Sequence, residues 1–196
     1  MKKRNPQIII YTIIGVAVLL GVAGYVILNN NESVVTSDTN SSQNSPSETE
    51  TTPTSAVQST EQQLLYLIEE EKLAHDVYTV MYQTYGANVF GSILQSESTH
   101  QDRVLALLQA RNIADPRSSV VGVFVNQDLQ ALYDQLVQQG NRSVTEAYNV
   151  GMIIEEKDIA DISTQLSTTT DDDVIATLES LRSASENHLR AFNRQL

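Results

Sequence analysis

After residue 60, apolar side chains recur at alternating spacings of three and four, and almost no stretch shows the period of two that a half-buried strand requires. Such a chain folds as helices that each bury one stripe. Thr60-x-x-Gln63 reads as a capping box for a first helix, whose face carries Leu64, Ile68, Glu71, His75, Tyr78 and Tyr82 and which Gly86 stops. A second helix from near Asn88 puts Phe90, Ile93, Glu97, His100, Val104 and Leu107 on one face and ends before Pro116. The Val-Val-Gly-Val-Phe stretch within 115–125 predicts a short extended piece packed over the bundle, after which Asn126 caps a short helix to about Gln139. Beyond the Gly140-Asn141 break, Ser143-x-x-Glu146 opens a helix whose face reads Tyr148, Gly151, Glu155, Ile159, Ile162 and Leu166. A last helix begins at the Asp171 to Asp173 cluster, where acids favour the helix dipole, and carries Val174, Leu178, Leu181, Ser185 and His188. The expected fold is all-α: an antiparallel four-helix bundle with an extra short helix in its middle connection.

The N-terminal part is different. Residues 1–6 include Lys2, Lys3 and Arg4, and no charge interrupts 7–28, a stretch that as a helix reaches about 33 Å and matches a bilayer. It reads as an uncleaved signal anchor with its basic tail in the cytoplasm, the rival being a cleaved signal peptide. Residues 29–59 are rich in Ser, Thr, Asn and Gln, with Pro46 and Pro53, and read as a disordered linker. The helical domain, 60–196, is then expected outside the cytoplasm at the cell membrane, with the membrane as partner through the N-terminal helix. A formal charge of −12 and scattered basic residues exclude a nucleic-acid surface. With no Cys, disulfides, thiolate metal sites and thiol catalysis are excluded as well.

What chemistry remains is carried by acids in the wrong place. Glu71, Glu97, His100, Glu155 and His188 all fall in the apolar seams of their helices, where an unpaired carboxylate costs several kcal/mol. Lys and Arg are too sparse to pair with them all, so a bound di-cation is the natural compensation. Glu97-x-x-His100 sets a carboxylate and an imidazole one turn apart on one side of a helix, where both reach one metal. Glu71 and the Glu97/His100 pair also lie at similar distances on either side of Gly86, so an antiparallel hairpin brings them to one level. Glu155 and His188 are placed comparably about the Thr168 to Thr170 turn. His75 reads as a half-exposed structural residue, and Tyr78 and Tyr148 as packing in the seam, with hydrogen bonding to a metal centre as the alternative.

Four ordered segments carry a resemblance: Glu-Glu-Glu-Lys-Leu-Ala-His-Asp-Val-Tyr (69–78), Phe-Gly-Ser-Ile-Leu-Gln-Ser-Glu-Ser-Thr-His (90–100), Ile-Glu-Glu-Lys-Asp-Ile-Ala-Asp (154–161) and Ser-Glu-Asn-His-Leu-Arg-Ala-Phe (185–192). Over about 60–195 the chain resembles the ferritin-like domain-of-unknown-function family 2202. The resemblance implies a ferritin-like bundle with a carboxylate-bridged di-iron centre, in which one Glu comes from each of two helices and a Glu-x-x-His pair from each of the others. Rubrerythrin-type first helices have a ligand Glu followed by Ala three on and Tyr seven on, which selects Glu71 with Ala74 and Tyr78. Glu97, His100, Glu155 and His188 match the remaining ligands. The fourth helix departs from the pattern, because Ser185 stands where a Glu is expected, and Glu186 lies on another face. Asp158, one turn after Glu155, is the candidate for the missing carboxylate; without it the centre holds one metal or an asymmetric pair. The implied function is Fe(II) oxidation or reduction of O2 or peroxide at iron, with manganese or zinc as other occupants and a homodimer as a possible assembly. The alternatives are a surface interaction module with a degenerate site and a scavenger of another metal.

Overall fold

The computed structural model describes residues 59–196, and every regular element among them is a helix. These are α1 (Thr60–Tyr85), α2 (Asn88–Ala110), α3 (Gln127–Gly140), α4 (Val144–Leu166) and α5 (Asp172–Asn193). The basic tail, the apolar run 7–28 and the polar linker up to residue 58 lie outside the described residues. No described helix is long and apolar enough to cross a membrane.

The helix starts follow from their side chains. α1 is capped by Ser59, one residue before the expected Thr60: Ser59 Oγ accepts from Gln62 N–H at 3.3 Å and Ser59 N–H donates to Gln62 Oε1 at 3.2 Å. The sequence offers both registers, and in the Ser59 register Gln63 turns inward, where its Nε2 donates to Thr168 Oγ1 at 3.2 Å. Gly86 ends α1 at φ 64°, a conformation cheap only without a Cβ, and its N–H returns to Tyr82 O at 2.8 Å. Asn126 and Ser143 cap α3 and α4 through side-chain oxygens. Glu146 does not complete a box at α4, because its carboxylate accepts instead from Gln139 and Asn149. The aspartates at the start of α5 are exposed or half-buried, and Asp171 and Asp173 pair with Arg111.

Four long helices pack around a common axis. Cross-links at successive levels fix their directions: Gln63 to Thr168 and Tyr78 to Gly151 make α1 antiparallel to α4. Arg111 to Asp173 and Arg103 to Ser180 make α2 antiparallel to α5. With α1–α2 and α4–α5 as hairpins, α2 and α4 run parallel, so the connection between them crosses the length of the bundle and carries α3. The expected Val-Val-Gly-Val-Phe extension is a series of turns, not a strand, because α1 takes up its backbone groups. Asp76 accepts from Gly122 N–H at 2.8 Å, Glu69 accepts from the N–H groups of Val125 and Asn126 at 2.7 and 2.8 Å, and Lys72 donates to Val120 O at 3.1 Å. Phe124 tucks beneath Lys72, whose Nζ sits 4.4 Å from the ring centre. α1 is consequently buried on nearly all sides at mid-length, beyond the single stripe its apolar period suggests.

The core divides in two. One apolar cluster gathers Leu73, Val77, Tyr78, Met81, Phe90 and Phe192 among others, and a second gathers Leu64, Ile68, Val104, Ile162, Leu178 and Leu181. Between them lies a buried layer of acids and imidazoles contributed by α1, α2, α4 and α5.

Candidate metal centre

Three consecutive acids on α1 show how the helix sorts its side chains, since each successive residue turns by about 100°. Glu69 faces the start of α3, Glu70 faces α4, where Lys157 donates to it at 2.5 Å, and Glu71 enters the polar layer. There Glu71 Oε2 lies 3.0 Å from His100 Nδ1, which is also 3.2 Å from Glu97 Oε2. The other oxygen of Glu97, Oε1, lies 2.9 Å from His188 Nδ1, itself 3.5 Å from Glu155 Oε2. The two imidazoles stack with centroids 5.6 Å apart. The layer is closed to bulk solvent: Glu71, Glu97 and Glu155 are each no more than 2% exposed.

The donor atoms form two triads, Glu71/Glu97/His100 and Glu97/Glu155/His188, within each of which the ligand atoms lie within 4.8 Å of one another. Glu97 belongs to both and turns one oxygen toward each histidine. Several of these atoms are unsatisfied. Glu97 Oε1 and His188 Nδ1, though close, are not aligned as a hydrogen bond, and Glu71 Oε1 is also buried without a partner. Buried polar groups normally find partners, so lone pairs left unused around a common space fit a cation. Among the described residues no Lys or Arg contacts Glu71, Glu97, Glu155 or Asp158.

Electrostatics describe the same competition. Burial drives the carboxyls of Glu71 and Glu155 above their ordinary range, and the negative charge of Glu97 adds to the push. Burial pushes Glu97 up too, but its contacts with His100 and His188 outweigh that and hold it low. Those histidines are raised, His100 to about 11 and His188 to about 9, because adjacent carboxylates overcome the cost of burying an imidazolium. Without a cation, the layer therefore keeps itself near neutrality by holding protons. A metal ion held by these ligands would displace those protons.

Around the triads stand three further groups. Tyr78 does more than pack: its phenol donates to Glu155 Oε1 at 2.6 Å, and burial together with the negative charge of Glu155 raises its pKa, so it remains a donor. Asp158 is buried in the same layer, its Oδ2 hydrogen-bonded by Ser185 Oγ and its Oδ1 without a partner. It lies outside the two triads, as the structure stands. Tyr148 stacks on Phe90 at 5.7 Å between centroids, His75 is half-buried with Nδ1 3.3 Å from Asp76 Oδ1, and Glu186 is exposed. The expected ligands Glu71, Glu97, His100, Glu155 and His188 are thus brought together, with Asp158 beside them. Reading the sequence did not reveal the buried roles of Glu69, Glu70, Lys72 and Asp76; Lys72 and Asp76 at helical i, i+4 spacing were the available signal.

Comparison with known proteins agrees in extent with this domain. A protein of Methanocaldococcus jannaschii, the uncharacterized protein MJ0754, is 42% identical over 134 residues, covering 68% of this chain and 72% of the relative. The crystal structure of hypothetical protein MJ0754 superimposes with a TM-score of 0.69 at 38% identity, covering 75% of this chain and 85% of that one. The family model described as an uncharacterized protein domain, DUF2202, matches residues 60–196, and the chain belongs to that family.

Proposed function

We propose that this is a ferritin-like metal protein, held at the outer face of the cell membrane by 7–28, whose carboxylate and histidine centre binds iron for Fe(II) oxidation or reduction of O2 or peroxide. One observation carries the reading: two triads of buried ligand atoms share Glu97 in an otherwise apolar bundle. The single long crossover between α2 and α4 is the connection that ferritin-like folds use, which supports the analogy of fold. Oxygen and imidazole donors suit iron and manganese, and such a metal would supply the electrons or the electron sink. Glu71 and His100 would hold a metal on one side of Glu97 and Glu155 and His188 on the other, with Glu97, common to both triads, serving each. Tyr78 orients Glu155 through its hydrogen bond, and the two apolar clusters keep bulk water from the layer.

The test is to load the full chain, purified in mild detergent, with Fe(II) anaerobically, remove free metal, and measure bound iron and O2 consumption on exposure to air. Retained iron with O2 uptake supports the reading; iron retained without O2 uptake points to a scavenger, for which Zn2+ or Cu2+ should displace Fe2+. No retained metal in a folded helical protein overturns the metal reading. A second reading, an interaction module that includes self-association as a homodimer, is favoured by the exposed valines 120, 121, 123 and 125 on the crossover.

A further inference from the structure

α5 offers only one of the two ligands expected of it, His188, and one turn earlier it carries a hydroxyl. That hydroxyl is engaged. Ser185 is 1% exposed, and its Oγ reaches Asp158 Oδ2 on α4 as well as Leu181 O, the latter at 3.1 Å. With Asp158 ionised, the single hydroxyl proton goes to its charged oxygen rather than to the neutral carbonyl. Asp158 in turn is 6% exposed, with Oδ1 buried and unpartnered. It lies one turn after Glu155 on α4, level with Ser185 on α5, where burial first and then the charges of Glu71, Glu155 and Glu97 raise its carboxyl.

We infer that Asp158 is the fourth carboxylate of a centre for two divalent cations and that Ser185 is the residue that positions it, α4 supplying the acid that α5 lacks. The inference rests on the metal reading above and deepens it by naming the acid that completes the ligand set and the residue that holds that acid in place. Charge favours two ions. Glu71, Glu97, Glu155 and Asp158 carry four negative charges when ionised, and His100 and His188 bind metal as neutral imidazoles, so two divalent cations leave the layer neutral. With these acids ionised, one cation leaves a net charge of −2 between two apolar clusters, which the layer offsets only by keeping two protons on its own ligands, and two cations without Asp158 leave +1. Either residue charge is costly where water is excluded. The short side chain at 185 is part of the arrangement, because it leaves room on α5 for a carboxylate arriving from α4. Held by one oxygen, Asp158 keeps only Oδ1 for a metal.

The experiment is equilibrium dialysis of the full chain in mild detergent against Co2+, with cobalt per chain measured by elemental analysis and helicity by circular dichroism. Two ions per wild-type chain are expected. Asp158→Asn should retain one ion and bind the second about 10- to 100-fold more weakly, and Ser185→Ala should do the same while Ser185→Thr, which keeps the hydroxyl, binds two. The double variant Asp158→Ser/Ser185→Glu moves the carboxylate onto α5 and should recover two ions, which a merely structural role for Ser185 does not predict. One ion per wild-type chain overturns the inference, as do two ions of unchanged affinity in both Asp158→Asn and Ser185→Ala. No ion on the wild type instead overturns the metal reading itself. Should either single variant lose its helical spectrum, the other and the exchange variant decide the matter.

Discussion

Replacing Gly151 by Ala tests how tightly the aromatic cluster is closed over the polar layer. A Cβ on Gly151 would stand 2.6 Å from both Cε1 and Cζ of Phe192, against an ordinary contact of at least 3.4 Å, so the ring must retreat by 3.4 − 2.6 = 0.8 Å. Phe192 is fully buried and has little room to move, with Tyr78 and Phe90 at 5.3 and 5.4 Å between centroids. Overpacking a core of this kind costs about 3 kcal/mol at the upper end of the usual range, which fits an obstacle that is a rigid ring with rings behind it. Gly to Ala within a helix returns about 1 kcal/mol. The net destabilisation is about 2 kcal/mol, a fall in Tm of roughly 8 °C for a domain of this size. Gly140→Ala is the internal control: its Cβ meets Met81 Sδ at 2.5 Å, but that is the far end of a flexible thioether, and the change should stay within about 1 kcal/mol. Thermal and urea unfolding of the metal-free protein measure both. The reasoning is refuted if Gly151→Ala is as stable as the wild type, or if Gly140→Ala falls as far.

Three other perturbations address the charged groups. Glu97→Gln removes an anionic ligand from both triads and should cost both bound cations, read by metal content after dialysis; retention of either one at wild-type affinity contradicts the shared role. Glu69→Ala leaves the Val125 and Asn126 N–H groups without their acceptor and should destabilise by about 2–3 kcal/mol in urea unfolding, a change below about 0.5 kcal/mol being the contrary result. The metal-free protein should lose stability as pH rises from about 5 to 9. Glu71, Glu155, Asp158, His100 and His188 all have pKa values raised by folding, so the folded state binds more protons than the unfolded chain across that window, and Glu97, held low, opposes them only in acid. Saturating Mn2+ should reverse the slope, because metal binds the deprotonated ligands. Parallel Tm profiles with and without Mn2+ would contradict it.

Much of this was legible in the residues because helical period and burial are tied to each other. On α2 and α5 every residue read into the seam is buried, from Phe90 to Leu107 and from Val174 to His188. On α4 the apolar pattern drew Ile159 into the face, whereas Asp158 is the buried residue and Ile159 only partly so. Asp158 entered the reading only through the family resemblance, as the candidate for a missing carboxylate, because its partner Ser185 lies on another helix. α1 departs further: Tyr82 is 42% exposed, and Met81 is buried in its stead beside Gly140. Its acids at 69 and 70 could not be told from solvated residues, since their partners come from the crossover and from Lys157, distant in sequence. Lys and Arg stay out of the polar layer, as their scarcity suggests, and two of them pair with buried acids beside it, Lys72 with Asp76 and Lys157 with Glu70.

The most direct test of the central claim is anomalous diffraction from crystals of the protein soaked in Mn2+, collected above and below the manganese edge. Two peaks are expected flanking the carboxylate of Glu97, one beside Glu71 and His100 and the other beside Glu155 and His188. A well-ordered polar layer with no peak within it, at a Mn2+ concentration that saturates other carboxylate–histidine sites, would contradict it.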